Sequence, residues 1–184
     1  MDIQCSVFIA ASLDGFIARP DGDIEWLHRL EYECSRLNGV TYDDFMATVD
    51  ALVMGRNTFD KVLSFPEWPY ASTPVFVLSR QGVSVPPTLE GKVQVLSGAP
   101  VSIAEQLSAR GFKHLYIDGG QTIQAFLDAD LINEIILTTI PVLLGQGIAL
   151  FGEGNRERAL RLISTSASEN GFVQSHYQVA GKPL

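Results

Sequence analysis

Short apolar, β-branched runs bounded by turn residues recur at 4–12 (QCSVFIAAS), 51–55 (ALVMG), 74–79 (PVFVLS), 92–96 (KVQVL) and 114–118 (HLYID). Each reads as a strand. A longer run covers 134–144 (EIILTTIPVLL), and two further strand patterns follow at 159–168 and 171–180. The segments between the earlier runs change to helical spacing. Tyr42, Phe45, Met46 and Val49 form one apolar stripe, which predicts a helix over 41–49 with Thr41 and Asp44 at its N-cap. Residues 102–111 open on a capping box, Ser102 with Glu105, and close on Gly111. Residues 120–131 bring Ile123, Phe126 and Leu127 to one face. Alternating strand and helix predicts an α/β fold whose mostly parallel sheet is covered on both faces. Roughly the last forty residues carry strand patterns with little helix between them, so the sheet is expected to end in antiparallel strands. With no repeat, low-complexity tract or linker, residues 1–184 read as one domain.

Composition narrows the choice of partner. The chain is 46% hydrophobic and 18% charged, enough to bury a full core, and its net charge is −8. Such a charge argues against general affinity for nucleic acid or an acidic membrane. An anion is expected to bind only where a few cations and backbone N–H groups converge. Cys5 and Cys34 form no C-x-x-C pair, and His28, His114 and His176 have no ligand spacing, so no disulfide framework or metal site is expected. There is no signal-like N-terminus and no apolar run near the roughly 20 residues a membrane helix needs, which points to the cytoplasm.

Two strand-to-helix junctions carry glycine: Gly55-Arg56-Asn57-Thr58, and Asp118-Gly119-Gly120-Gln121-Thr122. Either is explained by a plain turn. Either can also hold an anion, because the first N–H groups of a helix lack intrahelical partners and glycine admits a ligand to the backbone. Arg56 would add a charge-assisted contact, and Ser79-Arg80 at the end of 74–79 suits a phosphate monoester. Neither junction fits G-x-G-x-x-G or a P-loop.

Taken together, VMGRNTF, VFVLSR and YIDGGQTIQAFL resemble the cofactor-binding segments of the dihydrofolate reductase superfamily, in the right order and spacing. ASLDGFIA and LTTIPVLLGQGIALF resemble more narrowly the C-terminal reductase domain of the bifunctional riboflavin-biosynthesis deaminase–reductase and its stand-alone bacterial relatives. The resemblance implies a dihydrofolate-reductase-like three-layer fold and an NADPH-dependent reductase acting on a small heterocycle, like 5-amino-6-(5-phosphoribosylamino)uracil reductase. It also implies a homodimer. Gly55, Arg56, Asn57, Thr58, Gly119, Gly120, Gln121 and Thr122 would cradle the cofactor's pyrophosphate and adenosine side. Ser79 and Arg80 would favour its 2′-phosphate, and Ala10, Ala11 and Ile17 would border the nicotinamide. The zinc deaminase signature, H-x-E with P-C-x-x-C, is absent.

On the substrate side the resemblance leaves more open. Residues 12–27 look like the loop that covers the nicotinamide, with Trp26 near the substrate. Asp14 is the preferred catalytic polar residue. Glu31, Asp43 and Asp44 are the other carboxylates considered as proton donor, since folate reductases carry one on their first helix. Gly145 and Gly147 allow either close approach of backbone to a substrate or a bulge in the strand, in a loop expected to wall the pocket. The alternatives are a dihydrofolate reductase, a non-catalytic NADPH or nucleotide binder, and a scaffold with a vestigial pocket.

Overall fold

The computed structural model describes residues 2–153, 156–182 and 184. Its strands and helices follow in chain order as β1 (Gln4–Ser12), β2 (Phe16–Ala18), α1 (Tyr42–Met46), β3 (Ala51–Gly55), α2 (Arg56–Leu63), β4 (Val75–Leu78) and β5 (Val93–Leu96). They continue as α3 (Pro100–Ala109), β6 (His114–Asp118), α4 (Gly120–Asp128), β7 (Glu134–Ile140), β8 (Ile148–Ala149), β9 (Leu160–Ala167) and β10 (Val173–Val179). Eight strands make one sheet in the order β5-β4-β3-β6-β1-β7-β10-β9. Every pairing from β5 across to β7 is parallel, and β10 runs antiparallel to both β7 and β9. This is the expected mixed sheet with an antiparallel C-terminal end. β2 and β8 pair separately as a short antiparallel ribbon.

Strand alternation builds two cores. Ala51 and Val53 of β3, with Leu115 and Ile117 of β6, pack with Ile103 and Leu107 of α3 and Ile123 and Phe126 of α4. Leu52, Met54 and Tyr116 point the other way, against Phe45 of α1 and Phe59 and Val62 of α2. Because β3 is covered on both faces, its residues Ala51–Met54 are all apolar and buried. Phe59 and Phe126 are each 0% exposed, and burying such a side chain contributes about 1.5–3 kcal/mol. No helix among the described residues is long and apolar enough to cross a membrane.

Three local expectations change. The Ser102–Glu105 capping box is not used: α3 begins at Pro100 with Ala99 as N-cap and no side-chain cap. Proline's fixed φ and missing N–H cost nothing in a first turn, so the helix starts earlier. β7 stops at Ile140, because Pro141 has no N–H for the ladder. Helix α1 ends at Met46, although Thr41 Oγ1 accepts the Asp44 N–H (3.1 Å) as the cap pattern predicts. The buried Glu134 at the start of β7 is satisfied by the Ser6 hydroxyl (2.6 Å) and by His176 Nε2 (2.7 Å), while His114 Nε2 meets Ser6 Oγ (2.6 Å). Two of the three histidines thus join a tie across β1, β6, β7 and β10.

Candidate active site

Parallel strands leave their C-terminal ends and the following helix N-termini on one crest of the sheet. Here that crest opens into a cleft of about 1420 Å3. Gly55 is the N-cap of α2 and Gly119 that of α4, and neither helix has a side-chain cap. Their first N–H groups and dipoles are therefore available to a ligand. The two junctions also interlock. A Cβ on Gly55 would lie 2.9 Å from Thr122 Oγ1, and one on Gly119 would fall inside contact distance of Thr58 Oγ1. Gly119 has φ +92°, a conformation side chains rarely adopt. The two junctions thus approach each other closely at both places, and at Gly119 the positive φ favours glycine as well.

Arg56, Lys61 and Arg80 line the cleft, alongside the carboxylates of Asp21, Asp60 and Asp118. Arg56 Nε is 3.7 Å from Asp60 Oδ2 on the next turn of α2, a loose and half-exposed pair. Arg80 follows Ser79, whose hydroxyl donates to the Gly82 carbonyl (3.0 Å). Asn57, Thr58, Ser79, Gly120, Gln121 and Thr122 also line this cleft. Ile17 reaches it from the β2–β8 ribbon together with Ala18 and Ile148.

Asp118 closes β6 at the cleft, and sequence reasoning treated it only as part of a turn. Burial pushes its carboxyl up to about 6, partly offset by the Gly119 N–H, which donates to Oδ1 (2.9 Å). Tyr116, on the same face of β6, donates its hydroxyl to the Phe8 carbonyl (2.9 Å). Tyr70 lines the cleft as well. The available signal was an acid ending a buried strand directly before Gly-Gly, where the fold encloses it.

Other expected residues lie outside the lining. Ala11 is 2% exposed and packs in the core against α3 and α4, while Ile9 and Ala10 line the cleft. Asp14 is exposed and turned to the neighbouring loop, where it accepts from the Ser12 hydroxyl (2.6 Å), Leu144 N (3.1 Å) and Gly145 N (2.8 Å). Those bonds, the Ser12 hydroxyl first, hold its carboxyl below the usual range. Gly145, at φ +76°, supplies one of those N–H groups, and Gly147 lies directly against the Ala18 carbonyl, where no Cβ fits. Gly147 thus serves loop packing, whereas Gly145 has open space around it and owes its place to its positive φ. Trp26 is 1% exposed and buried behind the wall, and its neighbours Ile24 and Leu27 reach the cleft instead. Glu31, Asp43 and Asp44 are exposed and outside the lining, so no carboxylate of the first helix enters the cleft.

Residues 5–174 match the family described as RibD C-terminal domain. A candidate riboflavin-biosynthesis protein from Shewanella sp. PV-4 is 44% identical, with a TM-score of 0.88 over 96% of this chain and 99% of that one. The uncharacterized protein YwjB of Bacillus subtilis (strain 168) is 37% identical, covering 96% of this chain and 98% of that protein. The deaminase/5-amino-6-(5-phosphoribosylamino)uracil reductase of Thermotoga maritima shares the fold at 16% identity, TM-score 0.71, with 97% of this chain matching 57% of that one. Sequence and fold agree: this chain is a member of the RibD C-terminal domain family, reductase-like domains of the dihydrofolate reductase superfamily.

Proposed function

We propose that the protein is an NADPH-dependent reductase of the riboflavin-reductase type, acting on a small heterocycle in the cytoplasm. The observation that carries this reading is the pair of interlocked glycine junctions, two helix N-termini without side-chain caps opening on one cleft. A pyrophosphate suits that geometry, with Gly55–Thr58 on one side and Gly119–Thr122 on the other. Ser79 has its hydroxyl on Gly82, which leaves Arg80 as the main discriminator for a 2′-phosphate. Ala10 and Ile17 border the nicotinamide end.

When bound, NADPH supplies a hydride to a C=N or carbonyl carbon of the substrate. Asp118 is the candidate acid in place of Asp14. Its raised pKa keeps it partly protonated near neutral pH, and its proton passes to the nitrogen or oxygen that takes the displaced π electrons. Asp14 acts instead through the loop it binds. The folate alternative loses ground because Glu31, Asp43 and Asp44 stand outside the cleft. A binder without turnover would have no use for a partly protonated acid at the cleft.

Calorimetric titration of NADPH and NADH into the wild type and Arg80→Ala tests the reading. The expected outcome is NADPH binding that weakens at least tenfold in the variant while NADH binding stays unchanged. Failure of the wild type to bind either cofactor would overturn it. The same family reading makes the protein a homodimer, and the exposed strand β9 is the surface proposed to pair.

A further inference from the structure

Asparagine stands directly before glycine twice in the chain, at Asn38-Gly39 and at Asn170-Gly171. The fold sets the two pairs against each other. Asn170 lies in the turn between β9 and β10 and donates its side-chain amide to the Tyr32 carbonyl (2.8 Å). Asn38 reaches back across the same contact. Its Nδ2 donates to the Ala167 carbonyl at the end of β9 (2.8 Å), and its backbone N–H donates to Ser168 Oγ (2.8 Å). Gln174 of β10 holds Val40 at both ends: Oε1 accepts the Val40 N–H (2.7 Å) and Nε2 donates to the Val40 carbonyl (2.9 Å). Tyr32 stands edge-on to Phe172 (centroids 5.2 Å, 62°). Residues 32–40 thus form a strap laid on the β9–β10 hairpin, fastened mainly by side-chain amides.

An asparagine amide is open to attack by the backbone nitrogen that follows it, most of all when glycine follows, since no Cβ hinders the approach. The two pairs differ in how far the fold permits that attack. Around Asn170 every group is engaged. The Gly171 N–H donates to the Ser168 carbonyl (3.0 Å), Asn170 Oδ1 accepts the Phe172 N–H (3.1 Å), and Nδ2 is held on Tyr32. Asn38 and Gly39 are both exposed, whereas Asn170 is partly buried. Neither the Gly39 N–H nor Asn38 Oδ1 has a protein partner among the described residues, so the Asn38 side chain is held by its bond to Ala167 alone.

We infer that Asn38 is a site of spontaneous deamidation that unfastens this strap, while the fold keeps Asn170 intact. The Gly39 nitrogen forms a bond to Asn38 Cγ as the Cγ–Nδ2 bond breaks. The Gly39 proton passes through solvent base to the departing nitrogen, which leaves as ammonia. Water then opens the cyclic imide at one of its two carbonyls, giving aspartate or isoaspartate, with no change of oxidation state. Either product places a carboxylate where the amide donated. A carboxylate only accepts, so against the Ala167 carbonyl the fastening becomes a repulsion. Isoaspartate also inserts a backbone carbon before Gly39, which already lies so close to Gln174 Oε1 that no Cβ fits.

The test ages the native protein in mildly alkaline buffer and follows the Asn38 and Asn170 peptides by mass spectrometry, with isoaspartate read by enzymatic methylation. A sample unfolded in guanidinium chloride is aged alongside, and each site's native rate is expressed relative to its own unfolded rate. Asn38 is expected to keep a relative rate at least about tenfold above that of Asn170, because the bonds around Asn170 have to open first. Equal relative rates, a faster Asn170, or an Asn38 that stays intact while the unfolded chain deamidates would each overturn the assignment. Asn38→Asp reads the consequence in a homogeneous sample. Hydrogen exchange at the Val40 amide should quicken about tenfold, with the melting temperature nearly unchanged because the strap is exposed. Exchange at Val40 as slow as in wild type would show that the strap stays fastened and would overturn that part of the inference.

Discussion

Two aspartates stand immediately before glycine, Asp14 in SLDG and Asp118 in IDGG, and their environments drive them in opposite directions. Asp14 is exposed and takes three hydrogen bonds, which hold its carboxyl low. Asp118 is enclosed at the end of β6 and is pushed up to about 6. An acid donates only while protonated, so a step that uses Asp118 slows as pH rises through about 6. Asp118→Asn is expected to lower kcat by about 10²–10⁴-fold and to flatten that limb of the pH profile. Linkage gives the same group a second signature. A raised folded-state pKa stabilises most below the ordinary carboxylate value of 3.8, and the contribution is lost as pH rises to about 6. Melting temperatures of wild type should therefore fall across that window relative to those of Asp118→Asn. Parallel curves would show that Asp118 is not shifted.

The β2–β8 ribbon carries the wall of the cleft, and its anchorage comes from outside it. Leu13 N donates to Val142 O (2.9 Å), Leu150 N donates to Gly15 O (2.9 Å), and Asp14 clasps Leu144 and Gly145. The ribbon sits directly on α4: a Cβ on Gly120 would lie 3.0 Å from Ala149 O and 3.1 Å from Ile17 Cδ1. Asp14 thus ties the turn before β2 to the 141–147 loop that leads into β8. Replacing it with alanine should speed hydrogen exchange at the Leu144 and Gly145 amides while leaving the melting temperature nearly unchanged, since the clasp is exposed. NADPH affinity should fall a few-fold, reflecting a looser wall rather than a lost contact. Unaltered exchange at both amides would refute the clasp.

At the scale of the molecule, the sheet has unequal edges. β5 is four residues long, whereas β9 runs eight and leaves Leu160 (43% exposed), Leu162 (52%) and Ile163 (38%) in the open. Val173 of the adjoining β10 is also exposed. A long edge strand with apolar side chains and unpaired backbone groups invites another chain. Light scattering should report a dimer for wild type, and Leu162→Arg should shift it to monomer with the far-ultraviolet spectrum intact. A monomeric wild type would remove β9 as a pairing surface.

Much of this architecture was legible because it is local. The 3.6-residue stripe of 41–49, the β-branched runs and the Gly-Arg and Gly-Gly junctions each follow from neighbours in the chain, and they located α1, the strands of the parallel core and two junctions that line the cleft. The capping box at Ser102 misled because a competing local signal, Pro100, started the helix first. The rest of the cleft and the loops around it were opaque for a different reason: they depend on contacts far apart in sequence. Asp14 meets Gly145 across 131 positions, and Tyr70 is clamped by Trp68 against Phe59 while facing a cleft formed by β1, β6 and α2. The sequence by itself determined the α/β alternation and the glycine junctions, since periodicity and backbone freedom are properties of adjacent residues. Only the tertiary structure decided which aspartate is enclosed and which is clasped by a distant loop, because desolvation and hydrogen-bond satisfaction are set by whatever the fold brings alongside.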